Sequence, residues 1–213
     1  MPARSLTWML APEGGSDVDF LLPLVRRLLV EKCGASDHEV DVPNGIDLRS
    51  TPGYSRRPDR VAGVVSKVPG KWLLVVHADG GSNPATVRMR HVDPILDGLP
   101  AGCAGVAAVP VHAIEAWVLA DATALTRVLD TDRAQLVSAG LPSRAKNLEA
   151  QPDPKVTLMT LVRAASAGSR RPRRFPFERL GERVSFTELR ALPAFVTFEA
   201  DLAAALRRLG LLR

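Results

Sequence analysis

The chain has 213 residues and a mass of 22.9 kDa, enough to bury one substantial core and too few for a large multidomain machine. With 46% hydrophobic, 24% charged and 5% aromatic residues, it is neither disordered nor fibrous, and aliphatic packing dominates. The net charge of +5 points to an anionic partner, and the isolated Cys33 and Cys103 exclude a zinc ribbon or a disulfide scaffold and fit a reducing cytoplasm.

The first residues carry Arg4 and a short apolar run with no small-residue cleavage site, and no later stretch approaches the ~18 apolar residues of a membrane span. The expectation is a cytoplasmic protein with no membrane partner. The apolar run 6–11 reads as a buried strand, which Pro12-Glu13-Gly14-Gly15-Ser16 cannot continue. Ser16 and Asp17 then open a helix whose apolar residues Phe20, Leu21, Leu24, Val25, Leu28 and Leu29 recur at helical spacing. Residues 34–60, rich in Gly, Pro, Ser, Asp and Arg, read as a loop-bearing connection with one short strand candidate at 38–42. The unbroken apolar run 72–76, bounded by glycines, is the candidate central parallel strand. A helix over 85–96, a strand over 105–111 interrupted by Pro110 and a helix over 114–129 follow. Residues 140–155 read as loop, 156–165 as helix, 166–183 as a basic irregular segment and 184–213 as a helical C-terminal part, with a last helix over 198–209. This alternation predicts an α/β fold with a mostly parallel central sheet flanked by helices, in one domain over 1–213.

In an open parallel sheet, ligands collect at the carboxyl ends of the strands. Three acids fall at such ends: Glu13 after the first strand, Asp79 after the run 72–76 and Glu115 after the strand that Val111 closes. Carboxylates converging from separate strands suit a hard divalent cation such as Mg²⁺ or Mn²⁺, which orients a phosphodiester and activates water. Each also has a plainer reading: Glu13 and Glu115 as first-turn helix acids, Asp79 as a turn residue before Gly80 and Gly81.

Glu13-Gly14-Gly15-Ser16-Asp17-Val18-Asp19-Phe20-Leu21 resembles the opening of Toprim domains, the fold shared by topoisomerases, primases and the overcoming-lysogenisation-defect nucleases. Val75-Val76-His77-Ala78-Asp79 stands where that fold carries Asp-x-Asp. His112-Ala113-Ile114-Glu115-Ala116-Trp117-Val118-Leu119-Ala120-Asp121, Pro154-Lys155 and the closing Leu189-Arg190-Ala191-Leu192-Pro193-Ala194-Phe195 are similar to a small Toprim-like bacterial family of unknown function, related to the RloB-like proteins. The resemblance spans nearly the whole chain. It implies a Toprim-like Rossmannoid fold and a metal-dependent nuclease site. Glu13 would be general base or metal ligand, Asp79 and Glu115 metal ligands, Asp17 or Asp121 supporting residues, and Mg²⁺ or Mn²⁺ the cofactor. Lys155 would stabilise phosphate charge, unless it merely flanks the helix that starts near Pro154. The family analogy further implies a bacterial antiphage-defence effector beside a partner ATPase, with self-association left open.

His77 replaces the first acid of Asp-x-Asp. Histidine ligates Mn²⁺ or Zn²⁺ but suits Mg²⁺ poorly, so His77 either joins a changed metal set or marks a lost one. The second case describes a catalytically degenerate subunit that binds nucleic acid or a partner protein.

The charge excess is local. Residues 1–100 balance 12 basic with 12 acidic side chains, residues 101–213 carry 16 against 11, and seven arginines between 163 and 183 face only Glu178 and Glu182. Arg170, Arg171, Arg173 and Arg174 are therefore candidate contacts to DNA or RNA phosphates, and Phe175 or Phe177 a candidate platform for an unpaired base; a solvated loop is the plain alternative. No Gly-x-x-x-x-Gly-Lys-Ser/Thr and no Gly-x-Ser-x-Gly occurs, which argues against a P-loop ATPase and an α/β-hydrolase.

Overall fold

A computed structural model describes residues 4–36, 39–68, 70, 72–166 and 175–212. The candidate phosphate contacts Arg170, Arg171, Arg173 and Arg174 lie outside the described residues, as does His38 of the strand candidate at 38–42. The chain begins with Arg4–Ser5 (β1) and Thr7–Ala11 (β2), then the helix Gly15–Cys33 (α1). Val40–Asp41 (β3), Ile46–Asp47 (β4), a 3-10 turn at Leu48–Ser50 and Pro58–Val65 (α2) follow. After Trp72–His77 (β5), Pro84–Val87 (α3) and Asp93–Asp97 (α4) flank a π-helical turn at Arg88–Val92. Next come Cys103–Ala108 (β6), Glu115–Val118 (α5), Ala122–Leu129 (α6) and Arg133–Ser138 (α7). Pro154–Ala165 (α8), Phe177–Gly181 (α9), Phe186–Leu189 (α10) and Pro193–Arg208 (α11) complete the order.

The main sheet has the order β4-β2-β5-β6 and is parallel throughout, with Met9 opposite Ile46 and Leu74, and Val75 opposite Val106. Side chains alternate across it, as the period of two requires. Trp8, Leu10, Leu73, Val75 and Val106 enter the larger core, with α1, α5, α6, α8 and α11. Met9, Ala11, Leu74 and Val76 enter the smaller one, with Val61 and Val65 of α2 and Ile95 of α4. The result is an α/β fold with a parallel sheet covered by helices on both faces. Every residue of β5 is buried, which is why its sequence shows no alternation.

The edge strand is broken. β3 pairs with β1 and β4 with β2, separated by Pro43-Asn44-Gly45, where the Trp8 indole N–H donates to the Pro43 carbonyl at 3.0 Å. A Cβ on Gly45 would lie 2.4 Å from the Trp8 ring, so only glycine lets the backbone cross it.

Several expectations need correction. The helix expected over 114–129 is two helices, because Asp121 turns the chain and caps α6, accepting from Ala124 N at 2.9 Å and from Ser185 N at 2.9 Å. The irregular segment 166–183 ends in α9. Phe175 is buried and meets Phe177 edge to face at 4.7 Å, and both rings pack in the core, so neither is free to stack on a base. The short helices α2 and α7 were not expected; each is under three turns, too short for a helical period to stand out.

No helix among the described residues is long and apolar enough to cross a membrane. Charged groups lock the C-terminal part onto α1. Arg190 binds Glu199, with Nε 3.0 Å from Oε2, and reaches Glu31, while Lys32 Nζ lies 2.8 Å from Glu199 Oε1. Arg190 first, and then Lys32, hold the Glu199 carboxyl below its ordinary range against the opposing effect of burial. A depressed folded-state pKa contributes stability above the unfolded value, and the contribution is lost as pH falls through the folded one. Glu199→Gln is therefore expected to melt below the wild type at pH 7, with the gap closing as the pH is lowered past the carboxylate range. Melting curves at several pH values check it, and a gap independent of pH would contradict it.

Candidate active site at the carboxyl edge of the sheet

Reduced to its main strands, the sheet runs in sequence order 2-1-3-4, and the direction of winding reverses between β2 and β5, the switch point where open α/β sheets form their crevices. Glu13 follows β2 and Asp79 follows β5, so the topology alone puts both acids there. They touch: the Asp79 amide donates to Glu13 Oε2 at 2.9 Å.

The loop holding Asp79 is fixed by a ladder that continues beyond the strands. Ala78 N donates to Ala108 O at 3.2 Å, Gly80 N to Pro110 O at 3.0 Å, and Gly81 and His112 exchange backbone bonds of 3.0 and 2.7 Å. A Cβ on Gly80 would fall 2.3 Å from the Pro110 carbonyl. Gly81 and His112 both take left-handed conformations, with φ of 55° and 61°, which gives His112 a backbone role in the turn. This staple brings the start of α5 to Asp79, whose Oδ1 accepts from Ile114 N at 3.0 Å. Glu115 is the next residue.

Lys155 closes the cluster from α8, its Nζ 2.7 Å from Asp79 Oδ2. Asp153 caps that helix, accepting from Val156 N at 3.0 Å, and Pro154 opens it. A cation in the first turn opposes the helix dipole, and Asp79 offsets that cost. The Asp79 hydrogen bond, more than its opposition by burial, raises the Lys155 pKa, and the charges of Asp79, Glu115 and Asp17 add to it. The ammonium is charged, and it stands where a cation would neutralise the acids.

Asp17 and His77 lie beneath. Burial alone would raise the Asp17 carboxyl, but the His77 contact and the Gly14 amide, which donates to Oδ2 at 2.5 Å, outweigh it and bring the pKa down to about 2. His77 is fully buried, with Nδ1 3.2 Å from Asp17 Oδ2 and Nε2 3.7 Å from Asp79 Oδ1. Neither contact is aligned as a good hydrogen bond, and the imidazole stands between the two carboxylates with no hydrogen-bond partner among the described residues. Asp17 thus acts as cap and positioning residue. Glu115 is also buried, and its Oε2 has no partner among the described residues. Burial pushes its pKa up; its own amide and Lys155 oppose this, while Asp79 and Asp17 add to it.

The structure therefore brings together Glu13, Asp17, His77, Asp79, Glu115 and Lys155. Asp121 is turned to capping. The donor chemistry fits a hard divalent ion at Glu13, Asp79 and Glu115, and the orphaned Glu115 Oε2 is a free acceptor for one. As the side chains stand, no three metal-ligating groups among the described residues converge on one point, and Lys155 already occupies Asp79 Oδ2.

Two contributors escaped the sequence reading. Arg56, after the edge strand, donates from Nη1 to the His77 carbonyl at 2.8 Å, and Arg49 from the same connection carries charge toward Asp17 and Asp19. Pairing residues 46–47 with the first strand would have found them, because a loop that follows any parallel strand reaches the same rim.

Compared with protein-family models, curated proteins and solved structures, the chain matches none.

Proposed function

We propose that the protein is a divalent-metal-dependent nuclease of Toprim type that hydrolyses phosphodiester bonds in DNA or RNA. The observation that supports this reading is the meeting of Glu13 and Asp79 at the switch point of the sheet, with the Ile114 amide on Asp79 bringing the start of α5, and so Glu115, from the neighbouring strand end. Glu13, Asp79 and Glu115 would hold Mg²⁺ or Mn²⁺, which when bound supplies Lewis-acid polarisation of the phosphate and a water of lowered pKa. Glu13, exposed and beside Asp79, would serve either as one of these ligands or as the base that takes a proton from attacking water. Lys155, once released from Asp79, offers its ammonium to the phosphate oxygens. His77 lies beneath Asp79, with Nε2 3.7 Å from Oδ1, and beside Asp17. A role as an antiphage-defence effector beside a partner ATPase rests on the motif resemblance.

Purified protein and its Glu13→Ala variant, incubated with single- and double-stranded DNA and with tRNA in Mg²⁺, Mn²⁺ or EDTA, test the proposal. Metal-dependent cleavage that the variant lacks is expected; cleavage that survives in EDTA or in the variant would overturn it.

A second reading, a catalytically degenerate subunit, draws on two observations. His77 is wholly buried where the pattern asks for a ligand, and Lys155 already neutralises Asp79. Binding of nucleic acid with steep salt dependence, and no cleavage in any metal, would select it.

A further inference from the structure

A second concavity lies apart from these carboxylates and shares no residue with Glu13, Asp79, Glu115 or Lys155. It opens where the α5–α6 junction, the start of α7 and the α7–α8 connection meet α10, has a volume of about 320 Å³, and is lined in part by Thr123, Arg133, Leu141, Pro142, Arg144 and Lys146. That volume sits at the lower end of the range for small-molecule sites, about 300 to 1,000 Å³.

Its charge is unbalanced. The side chains of Arg144 and Lys146 have no hydrogen-bond or ion-pair partner among the described residues, and Arg133 makes only a 3.4 Å contact with the Ser143 carbonyl. Of the two acids at the cavity, Asp121 has both oxygens engaged by the Ala124 and Ser185 amides, which leaves the exposed Glu188 at the rim. Three cations thus face one free carboxylate. Guanidinium forks and an ammonium are the donors that phosphate oxygens take, the Thr123 hydroxyl adds a neutral donor, and Leu141 and Pro142 offer an apolar wall to the rest of a ligand.

We propose that this cavity binds a phosphate monoester of about mononucleotide size, with the phosphate on Arg133, Arg144 and Lys146 and the remainder against Leu141 and Pro142. The site is independent of the nuclease reading. Isothermal titration of the full chain with adenosine 5′-monophosphate, inorganic phosphate, adenosine and a 5′-phosphorylated oligothymidylate tests it. Saturable binding of the monophosphate with a Kd below about 1 mM, and none of adenosine, is expected. The double variant Arg144→Glu, Lys146→Glu, at exposed positions, is expected to melt as the wild type and to lose at least about tenfold in affinity, with Arg144→Ala giving a smaller loss in the same direction. Glu13→Ala is expected to bind as the wild type, which separates this site from the carboxylate edge. Binding of the oligothymidylate alone, lost in the double variant, would uphold the phosphate chemistry and assign it to a nucleic-acid end. Absence of saturable binding by all three phosphates, equal binding of adenosine, or full affinity in the double variant would overturn the proposal.

Discussion

Asp79→Ala is expected to lower metal-dependent cleavage at least about a hundredfold. This one carboxylate accepts from Ile114 N, which sets the start of α5 beside Glu115, and from Lys155 Nζ, which is held from α8, while its own amide donates to Glu13. Alanine keeps the amide and removes the other two links together. Asp79→Asn separates geometry from charge, since an amide oxygen still accepts from Ile114 N but neither neutralises Lys155 nor offers an anion to a metal. Cleavage rates and melting curves should show both variants inactive, with the asparagine variant the closer to wild-type stability. Wild-type cleavage by both would remove Asp79 from the chemistry.

Trp117→Ala is expected to cost about 3–5 kcal/mol of stability. Trp117 is fully buried two residues from Glu115, edge to face with Phe195 at 5.2 Å and tilted against Phe198 at 5.5 Å. It fastens α5, and with it the acid, to α11. Its indole N–H has no hydrogen-bond partner among the described residues, so Trp117→Phe gives up volume but no polar contact and should cost far less. Urea unfolding of the two variants measures the difference; equal losses would mean that the core requires the whole indole outline, which a smaller aromatic ring does not fill.

The sheet was legible because burial writes itself into composition. The run 72–76 is apolar throughout since β5 is covered on both faces, and the 3.6-residue recurrence from Phe20 to Leu29 follows the buried stripe of α1. The three acids stood out through topology: Glu13 and Asp79 follow β2 and β5 by two residues, and Glu115 opens the helix after β6. What was hidden depends on partners distant in sequence. Nothing local in Ser185 says that its amide binds Asp121, so one long helix was expected where Asp121 makes two. Nothing local in Arg56 says that it grips the end of β5, because β4 is two residues long and carries no alternation. Lys155 was picked out by its motif, but its pairing with Asp79 spans 76 positions and only the fold supplies it.

The broken edge of the sheet bears on how copies of this chain can meet. An exposed parallel edge is a template on which another strand can add itself, the first step toward aggregates. Here one margin is chopped into the two-residue strands β3 and β4, with a proline and a tryptophan-crossed glycine between them, too short and too interrupted to nucleate pairing. The opposite margin, β6, has α11 laid against it, and Arg208 reaches the Gly105 carbonyl at 3.5 Å. Neither side invites extension of the sheet, so self-association, where it occurs, has helix surfaces to work with and leaves the strand ends open.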